Sequence, residues 1–382
     1  MPCKKQLALL FFVALAIALP ASGQNHRSLN THPVNPALST ATLANSQEPG
    51  SVLVFPLFES GSVTAPPDAP YGAASLPKSS FEISVACPNG STCFDGQDVD
   101  IHLEWVCSGN QTFVCQEKNF LLNTTVNGTI RFNPNGGQCE PAAAFQNLEG
   151  CGPVPAPRCA KGYLIAWVVI ESGQPIKFDA LIGDAQIRES STAVTAYNAI
   201  PIQAAPSRAT GAVLPTGTSG ALKFDGSAYQ AVTGTIIGSV QYDNVNMASV
   251  DQDTTSLILL TLDTLSNRPN YPTFVDLNFY DEIENVNSVS TAFVCFEETG
   301  SLLNDFGLSS ATNTPKGLVQ STRAEKSAVL GITDTAGPVT LLGLVVTREC
   351  DAVLGCGGSN TLRHFTYPLS NDSIPVATSF VP

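Results

Sequence analysis

Two stretches of this chain, 176 residues apart, carry the same alternating pattern in the same order, and that repetition limits the fold more than any single motif. Phe81-Glu82-Ile83-Ser84-Val85 is followed by a turn-rich loop and then Val99-Asp100-Ile101-His102-Leu103-Glu104-Trp105. At the same offset, Leu257–Thr261 (LILLT) precedes Val275-Asp276-Leu277-Asn278-Phe279-Tyr280. Phe113–Glu117 (FVCQE) and Phe293–Glu297 (FVCFE) extend the series, each followed shortly by Leu-Leu-Asn, at Leu121–Asn123 and Leu302–Asn304. Tyr163–Ile170 (YLIAWVVI) has a counterpart in Leu341–Thr347 (LLGLVVT). Self-similarity at a long period predicts repeated structural units, here two.

Within each unit the apolar residues recur every second position. Val99, Ile101, Leu103 and Trp105 should point inward, and Asp100, His102 and Glu104 outward, as on an antiparallel sheet with one dry face. Val275, Leu277 and Phe279 repeat the inward set, and Asp276, Asn278 and Tyr280 the outward one. Ser51–Phe58 (SVLVFPLF) is instead a continuous apolar run, the mark of a strand buried on both faces, with Pro56 at a bend or an edge. Only 13% of residues are charged, whereas Gly (30) and Pro (27) are frequent, a balance that suits short strands joined by turns. The best helix candidate is Ala185–Asn198. The expectation is an all-β chain of two tandem antiparallel β-sandwich units, immunoglobulin-like or jelly-roll-like, with an interleaved arrangement of the two left open.

The N-terminus reads as an export signal. Lys4 and Lys5 precede the uncharged apolar run Leu7–Leu19, and Ala21-Ser22-Gly23 offers small residues to a signal peptidase. The run is too short for a bilayer core of roughly 30 Å, which needs about 20 residues. The boundaries that follow are a signal peptide at 1–23, a flexible polar leader at 24–50, a Cys-rich unit at 51–200, a linker at 201–220 and a second unit at 221–382. No transmembrane segment is expected after cleavage, and the expected location is extracellular or in the cell envelope, as a periplasmic or surface protein. Loss of Lys4 and Lys5 takes the formal charge from −14 to −16, which repels phosphate backbones and excludes nucleic acid as a natural partner.

Apart from Cys3, ten cysteines remain: Cys87, Cys93, Cys107, Cys115, Cys139, Cys151, Cys159, Cys295, Cys350 and Cys356. An even number in an exported chain reads as disulfides. Sequence proximity favours Cys87–Cys93, Cys107–Cys115 and Cys350–Cys356. The first unit holds seven and the second three, so full oxidation within one chain needs a bridge between them, with Cys295 as its second-unit end.

Chemistry is sparse. The chain has four histidines, of which His26 and His32 lie in the leader. Nucleophile-elbow, zinc-protease, phosphate-loop and dinucleotide motifs are all missing from the sequence, so no catalytic residues are assigned. The densest cluster is Asp95, Asp98, Asp100, His102 and Glu104, a weak metal candidate whose plainer reading is a solvated strand face. No cofactor is expected; calcium is the ion that those clustered oxygens would suit. Trp105 and Trp167 read as core residues rather than a sugar platform, and sequons stand at Asn89, Asn110, Asn123, Asn127 and Asn371. Two functional readings follow. The first is a non-enzymatic extracellular or cell-surface structural or adhesion module for a protein or glycan partner. The second is a secreted carbohydrate-active protein, either a binding module or a hydrolase with two carboxylates about 5–10 Å apart in a groove.

Secretion of the full chain from a Sec-competent host should yield a protein beginning at Gln24. N-terminal sequencing checks this, and retention of Met1 on the secreted protein contradicts it.

Overall fold

Short apolar runs separated by Gly-, Pro- and Asn-rich turns become strands, because β-branched and aromatic side chains fit a pleated sheet and the turn residues interrupt it. The computed structural model describes residues 44, 47–65, 74–87, 98–109, 115–141, 151–190, 194–234, 237–241, 251–262, 272–280, 286–300, 305, 316–326, 340–351, 361–366, 375–376 and 378–380. Among these, helix is almost absent, and none is long and apolar enough to cross a membrane. The residues of the signal segment and most of the leader lie outside this set.

Ten strands of the first half form two antiparallel sheets. They are β1 (Val52–Glu59), β2 (Ser79–Val85), β3 (Asp98–Cys107), β4 (Gln116–Thr125), β5 (Thr129–Phe132), β6 (Glu140–Pro141), β7 (Lys161–Val169), β8 (Leu181–Arg188), β9 (Val194–Asn198) and β10 (Ile200–Ile202). Sheet A has the order β10-β1-β7-β3-β4, and sheet B the order β9-β8-β2-β5-β6. Eight strands of the second half follow: β11 (Ile237–Gln241), β12 (Asp251–Leu260), β13 (Thr273–Tyr280), β14 (Val286–Phe293), β15 (Phe296–Glu298), β16 (Lys316–Lys326), β17 (Leu342–Asp351) and β18 (Thr361–Thr366). They form sheet C, β11-β16-β13-β14, and sheet D, β15-β12-β17-β18.

Sheets A and B meet through aromatic rings, as in a β-sandwich. Phe55 and Phe58 of β1 and Trp105 of β3 come from sheet A; Phe81 of β2 and Phe132 of β5 come from sheet B. Phe55 and Phe81 pack edge-on at 5.3 Å, as do Phe58 and Trp105 at 5.0 Å, while Phe81 and Trp105 are tilted at 5.5 Å. The indole Nε1 of Trp105 donates to the Pro155 carbonyl at 2.9 Å, so the ring is buried without stranding its polar atom. Gly183 on β8 lies directly over β1. A Cβ there would stand 2.6 Å from the Phe55 ring, so the sheets could not approach this closely with a larger residue.

The opposite face of sheet A is also dry. Every residue of β1 is buried, and all of β7 after Lys161. Val52 and Val54 share that outer face with Trp167 and Ile165, their register partners on β7. Sheet D lies over it: β1 touches β12 and β17, and β7 touches β15. The Tyr163 hydroxyl donates to the Thr261 carbonyl, just past β12, at 3.2 Å, and beside sheet D Trp167 packs at 6.0 Å on Phe380, which belongs to a short ribbon of Leu222–Phe224 and Thr378–Phe380. Ile258, Leu260, Leu342 and Leu344 join the same hydrophobic core as the first half. On the other side of sheet D, Leu257, Leu259 and Val345 are buried, as are Val275, Leu277 and Phe279 of sheet C, whose β11 touches β12 and β17. Sheet D therefore lies between sheets A and C, and its edge strand β18 also meets β9 at the edge of sheet B. Full burial of one large aliphatic or aromatic side chain is worth about 1.5–3 kcal/mol, so the A–D interface is a major source of stability.

Pro56 interrupts β1 at a bulge, where the register with β7 shifts between Phe55 and Phe58. The buried Tyr197 hydroxyl serves both groups of Leu57 there: it donates to the carbonyl and accepts from the N–H. That pairing reconciles a proline with an inner strand.

Several expectations are corrected. Ala185–Asn198 is not a helix but the end of β8 and all of β9, because its buried residues, Ala185, Ile187, Thr195 and Tyr197, fall at period two. The end of the leader is anchored rather than flexible: the Ala44 amide donates to the Ala231 carbonyl, and Gly50 pairs with Leu181. Part of the 201–220 segment is likewise built in, since Ile200–Ile202 extends sheet A and Leu214 is buried. Two repeat landmarks fall in unlike places. Tyr163–Ile170 lies along β7, between β1 and β3, whereas Leu341–Thr347 lies along β17, between β12 and β18. Both are doubly buried strands, and apolar runs of that kind resemble one another wherever they sit. Cys115 stands before β4 and Cys295 after β14, so these two are not equivalent either.

Candidate functional site

The cysteines fasten the architecture on which any site rests. The bridges are Cys107–Cys159, Cys115–Cys295 and Cys139–Cys151, with Cα separations of 5.9, 5.7 and 5.4 Å. Cys87 is also disulfide-bonded, while Cys93, Cys356 and the side chain of Cys350 lie outside the described residues. The expected Cys107–Cys115 pair is not formed. β3 and β4 align Cys107 with Gln116, one residue past Cys115, and a one-residue offset turns the two side chains to opposite faces. Cys115 instead reaches Cys295, 180 residues away, and supplies the covalent link between the two halves that the parity of the cysteines demanded.

The acidic row on β3 is only partly where alternation put it. Val99, Ile101, Leu103 and Trp105 are all buried inward. Asp98 is exposed at the strand start, and Asp95 lies outside the described residues. Asp100 accepts a hydrogen bond from the Asn123 amide at 2.8 Å. His102 stacks on the Trp167 ring at 4.3 Å, and burial lowers its pKa, so the imidazole is held neutral. Glu104 is 1% exposed, and neither carboxylate oxygen has a hydrogen-bond partner. It was expected to face water; it is dry because the outer face of sheet A is packed rather than solvated. Among the described residues, no three His, Cys, Asp or Glu side chains are placed to share a metal ion.

Burial, then the neighbouring Glu117, pushes the Glu104 pKa up to about 9, and burial pushes that of Glu117 up to about 7. At neutral pH Glu104 is therefore a protonated, neutral acid, as a carboxyl in a dry site must be. Further along the same face, Lys161 stands 3.2 Å from the buried Glu59 and 2.6 Å from Glu298. Burial pulls the Lys161 pKa down, but the two carboxylates outweigh it and the net shift is upward. This chain of charges joins β1, β7 and β15.

A second polar feature, which the sequence reading did not single out, lies on the outer face of sheet B. A groove of about 320 Å³ is lined by Ser80, Phe81, Glu82, Arg131, Asp184, Gln186 and Arg188, with the Phe81 side chain buried beneath it. The register sets Glu82 between Asp184 on β8 and Arg131 on β5. Arg131 Nε pairs with Glu82 at 2.5 Å, and Arg188 donates to the Gln186 side chain at 3.0 Å. Burial and Glu82 raise the Asp184 pKa against the opposing pull of Arg131. The alternating polar positions of FEISV and LIGDAQIR carried this signal. Of the sequons, Asn127 is exposed at the β4–β5 turn, the Asn123 amide is engaged by Asp100, and Asn89, Asn110 and Asn371 lie outside the described residues.

The pH dependence of Glu104 has a definite sign. Unfolded, the group ionises from about pH 4.5; folded, it keeps its proton to about 9. The folded state binds more protons across that window, so the contribution of Glu104 is fully present below about 4.5 and is lost as pH rises toward 9. In Glu104→Gln, the stability difference between mildly acidic and mildly alkaline buffer should shrink by on the order of 2–4 kcal/mol. Urea titrations across that range measure it, and an unchanged slope contradicts the assignment.

No protein-family model matches the chain, and no curated protein matches it.

Proposed function

We propose that the chain is an exported structural module of the extracellular space or cell surface, made of two copies of one β-sandwich and acting by binding rather than by turnover. The observation that carries this reading is the Cys115–Cys295 bridge together with the oxidised state of Cys87, Cys107, Cys139, Cys151 and Cys159. Bridges of this kind persist in oxidising compartments and are rare in reducing ones. Closing a loop of that length stabilises a fold by roughly 4–5 kcal/mol in the entropic account. The export signal read from Met1–Gly23 agrees with it.

The strand orders support the two-copy reading. In sheet A, β1-β7-β3-β4 corresponds to β11-β16-β13-β14 of sheet C; in sheet B, β9-β8-β2-β5 corresponds to β18-β17-β12-β15 of sheet D. Each strand keeps its place in the chain as well as in its sheet. On that mapping β2 corresponds to β12 and β3 to β13, the two segment pairs that share the offset of 176 residues. β7 then corresponds to β16, and β17 to β8.

The carbohydrate-active reading draws on one specific observation, the groove where Glu82 and Asp184 are direct cross-strand neighbours. Two features weigh against turnover there. Glu82 is held by Arg131, and Phe81 turns its ring into the core, so the groove presents no aromatic face to a sugar. Both carboxylates also project from one sheet face, whereas glycoside hydrolysis needs them on opposite sides of the scissile bond.

Incubating the oxidised full chain with a panel of soluble polysaccharides, and assaying both binding and the release of reducing ends, separates the readings. The module reading expects no release, with any retention on a glycan weakened by Asp184→Asn. Release that persists through purification and disappears in Asp184→Asn, with unfolding midpoint unchanged, would establish the hydrolase instead.

A further inference from the structure

Every sheet in this stack has two edges, and an uncovered edge strand is a template for another strand unless something blunts it. Most edges here are blunted. β4 carries Glu117 and Lys118, and its Asn123 amide already donates to the Cys151 carbonyl. β10 contains Pro201, β15 carries Glu297 and Glu298, and β18 carries Arg363 and His364. β6 is two residues long, β11 packs against three strands of sheet D, and β9 is five residues long and lies against β18.

β14 is different. It holds the last place in sheet C, bonded to β13 on one side, and no other described strand pairs with it. Its eight residues, VNSVSTAF, include no charge, no proline and no glycine. Ser288, Ser290 and Ala292 are exposed, and Val289 and Thr291 half-buried. In a chain of net charge −14, such a neutral stretch is a place where two copies can meet without repulsion. Asp281, Glu282 and Glu284 come immediately before it and end the neutral window.

The order of residues selects the partner. Turned antiparallel against itself about Val289, the strand sets Ser288 against Ser290, Asn287 against Thr291 and Val286 against Ala292. From Val286 to Ala292 polar residues meet polar and apolar meet apolar, with Phe293 falling opposite Asn285 beyond the strand, whereas a one-residue slip would set Val289 against a serine. We propose that β14 pairs with β14 of a second copy of this chain, in a two-fold antiparallel arrangement centred on Val289, joining the two C sheets into one continuous sheet. A contact of this kind is isologous and closes at two copies. The inference stands on sheet C alone and holds whether or not the chain is exported.

The register makes it testable with single cysteines in the full chain. At the two-fold position, paired Cα atoms lie about 4.5 or 5.5 Å apart, within the reach of a disulfide. Val289→Cys should therefore cross-link to a dimer on mild oxidation, read on a non-reducing gel. Thr291→Cys should stay monomeric on that gel, because its opposite number is Asn287. By sedimentation, the wild type should run as a dimer and Val289→Lys as a monomer that still unfolds cooperatively, with a midpoint that depends on protein concentration only in the wild type. A monomeric wild type overturns the proposal. So does a dimer in which Val289→Cys fails to cross-link or cross-links no better than Thr291→Cys, since two copies would then meet elsewhere or only by collision.

Discussion

The stacking of sheet D on the outer face of sheet A is the contact on which the rest of the molecule depends. Without it, Val52, Val54, Ile165 and Trp167 would form a large apolar surface open to water, which isolated soluble domains rarely carry. With it, β1 and β7 become central in two directions, flanked by strands within their sheet and by sheets above and below. Val34–Pro382 accordingly holds together as one compact unit rather than as two sandwiches on a tether. Ile258 and Leu260 face sheet A while Leu257 and Leu259 are buried on the other side, so β12 serves two cores at once.

That arrangement sets the terms for the polar groups caught in it. Glu104 lies where no partner reaches its oxygens, and it is accommodated by remaining protonated. Glu59 is accommodated differently, by Lys161 and Lys78, and Lys161 passes the charge on to Glu298 in the second half. Breaking one end of such a buried pair is far more costly than the pair is stabilising, so it acts chiefly to fix which residues meet. The Cys115–Cys295 bridge has the same effect through a covalent bond. The outer faces of the stack, on sheets B and C, are where polar side chains reach solvent: Glu82, Arg131 and Asp184 on one, Asp276, Ser288 and Ser290 on the other.

Much of this was legible in the residues, and the misreadings have physical causes. The continuous run SVLVFPLF announced a strand buried on both faces, whereas FEISV announced a strand with one polar side. Alternation placed Asp100, His102 and Glu104 on one face correctly, but periodicity reports only which residues share a face and not what covers it. The neutral, buried state of Glu104 was invisible for that reason. Ala185–Asn198 stood as the best helix candidate, yet its pairing in β8 with β2 and β9 makes it strand. Cys107 and Cys115 looked like a hairpin pair by distance along the chain, yet disulfides follow facing and register. The groove went unnoticed because its residues come from three strands far apart in sequence, each with an ordinary pattern.

The claim that the A–D interface makes one cooperative structure from both halves is tested most directly by thermal unfolding of the oxidised chain, followed by two probes. Trp105 lies between sheets A and B and Trp167 on the covered outer face of sheet A, so tryptophan fluorescence follows the first half and its contact with the second, while the far-ultraviolet dichroism follows the strands of both. The account predicts coincident transitions and a calorimetric enthalpy equal to the van't Hoff value. Two separated transitions in the dichroism or in the calorimetry would show that the halves unfold independently and would contradict it.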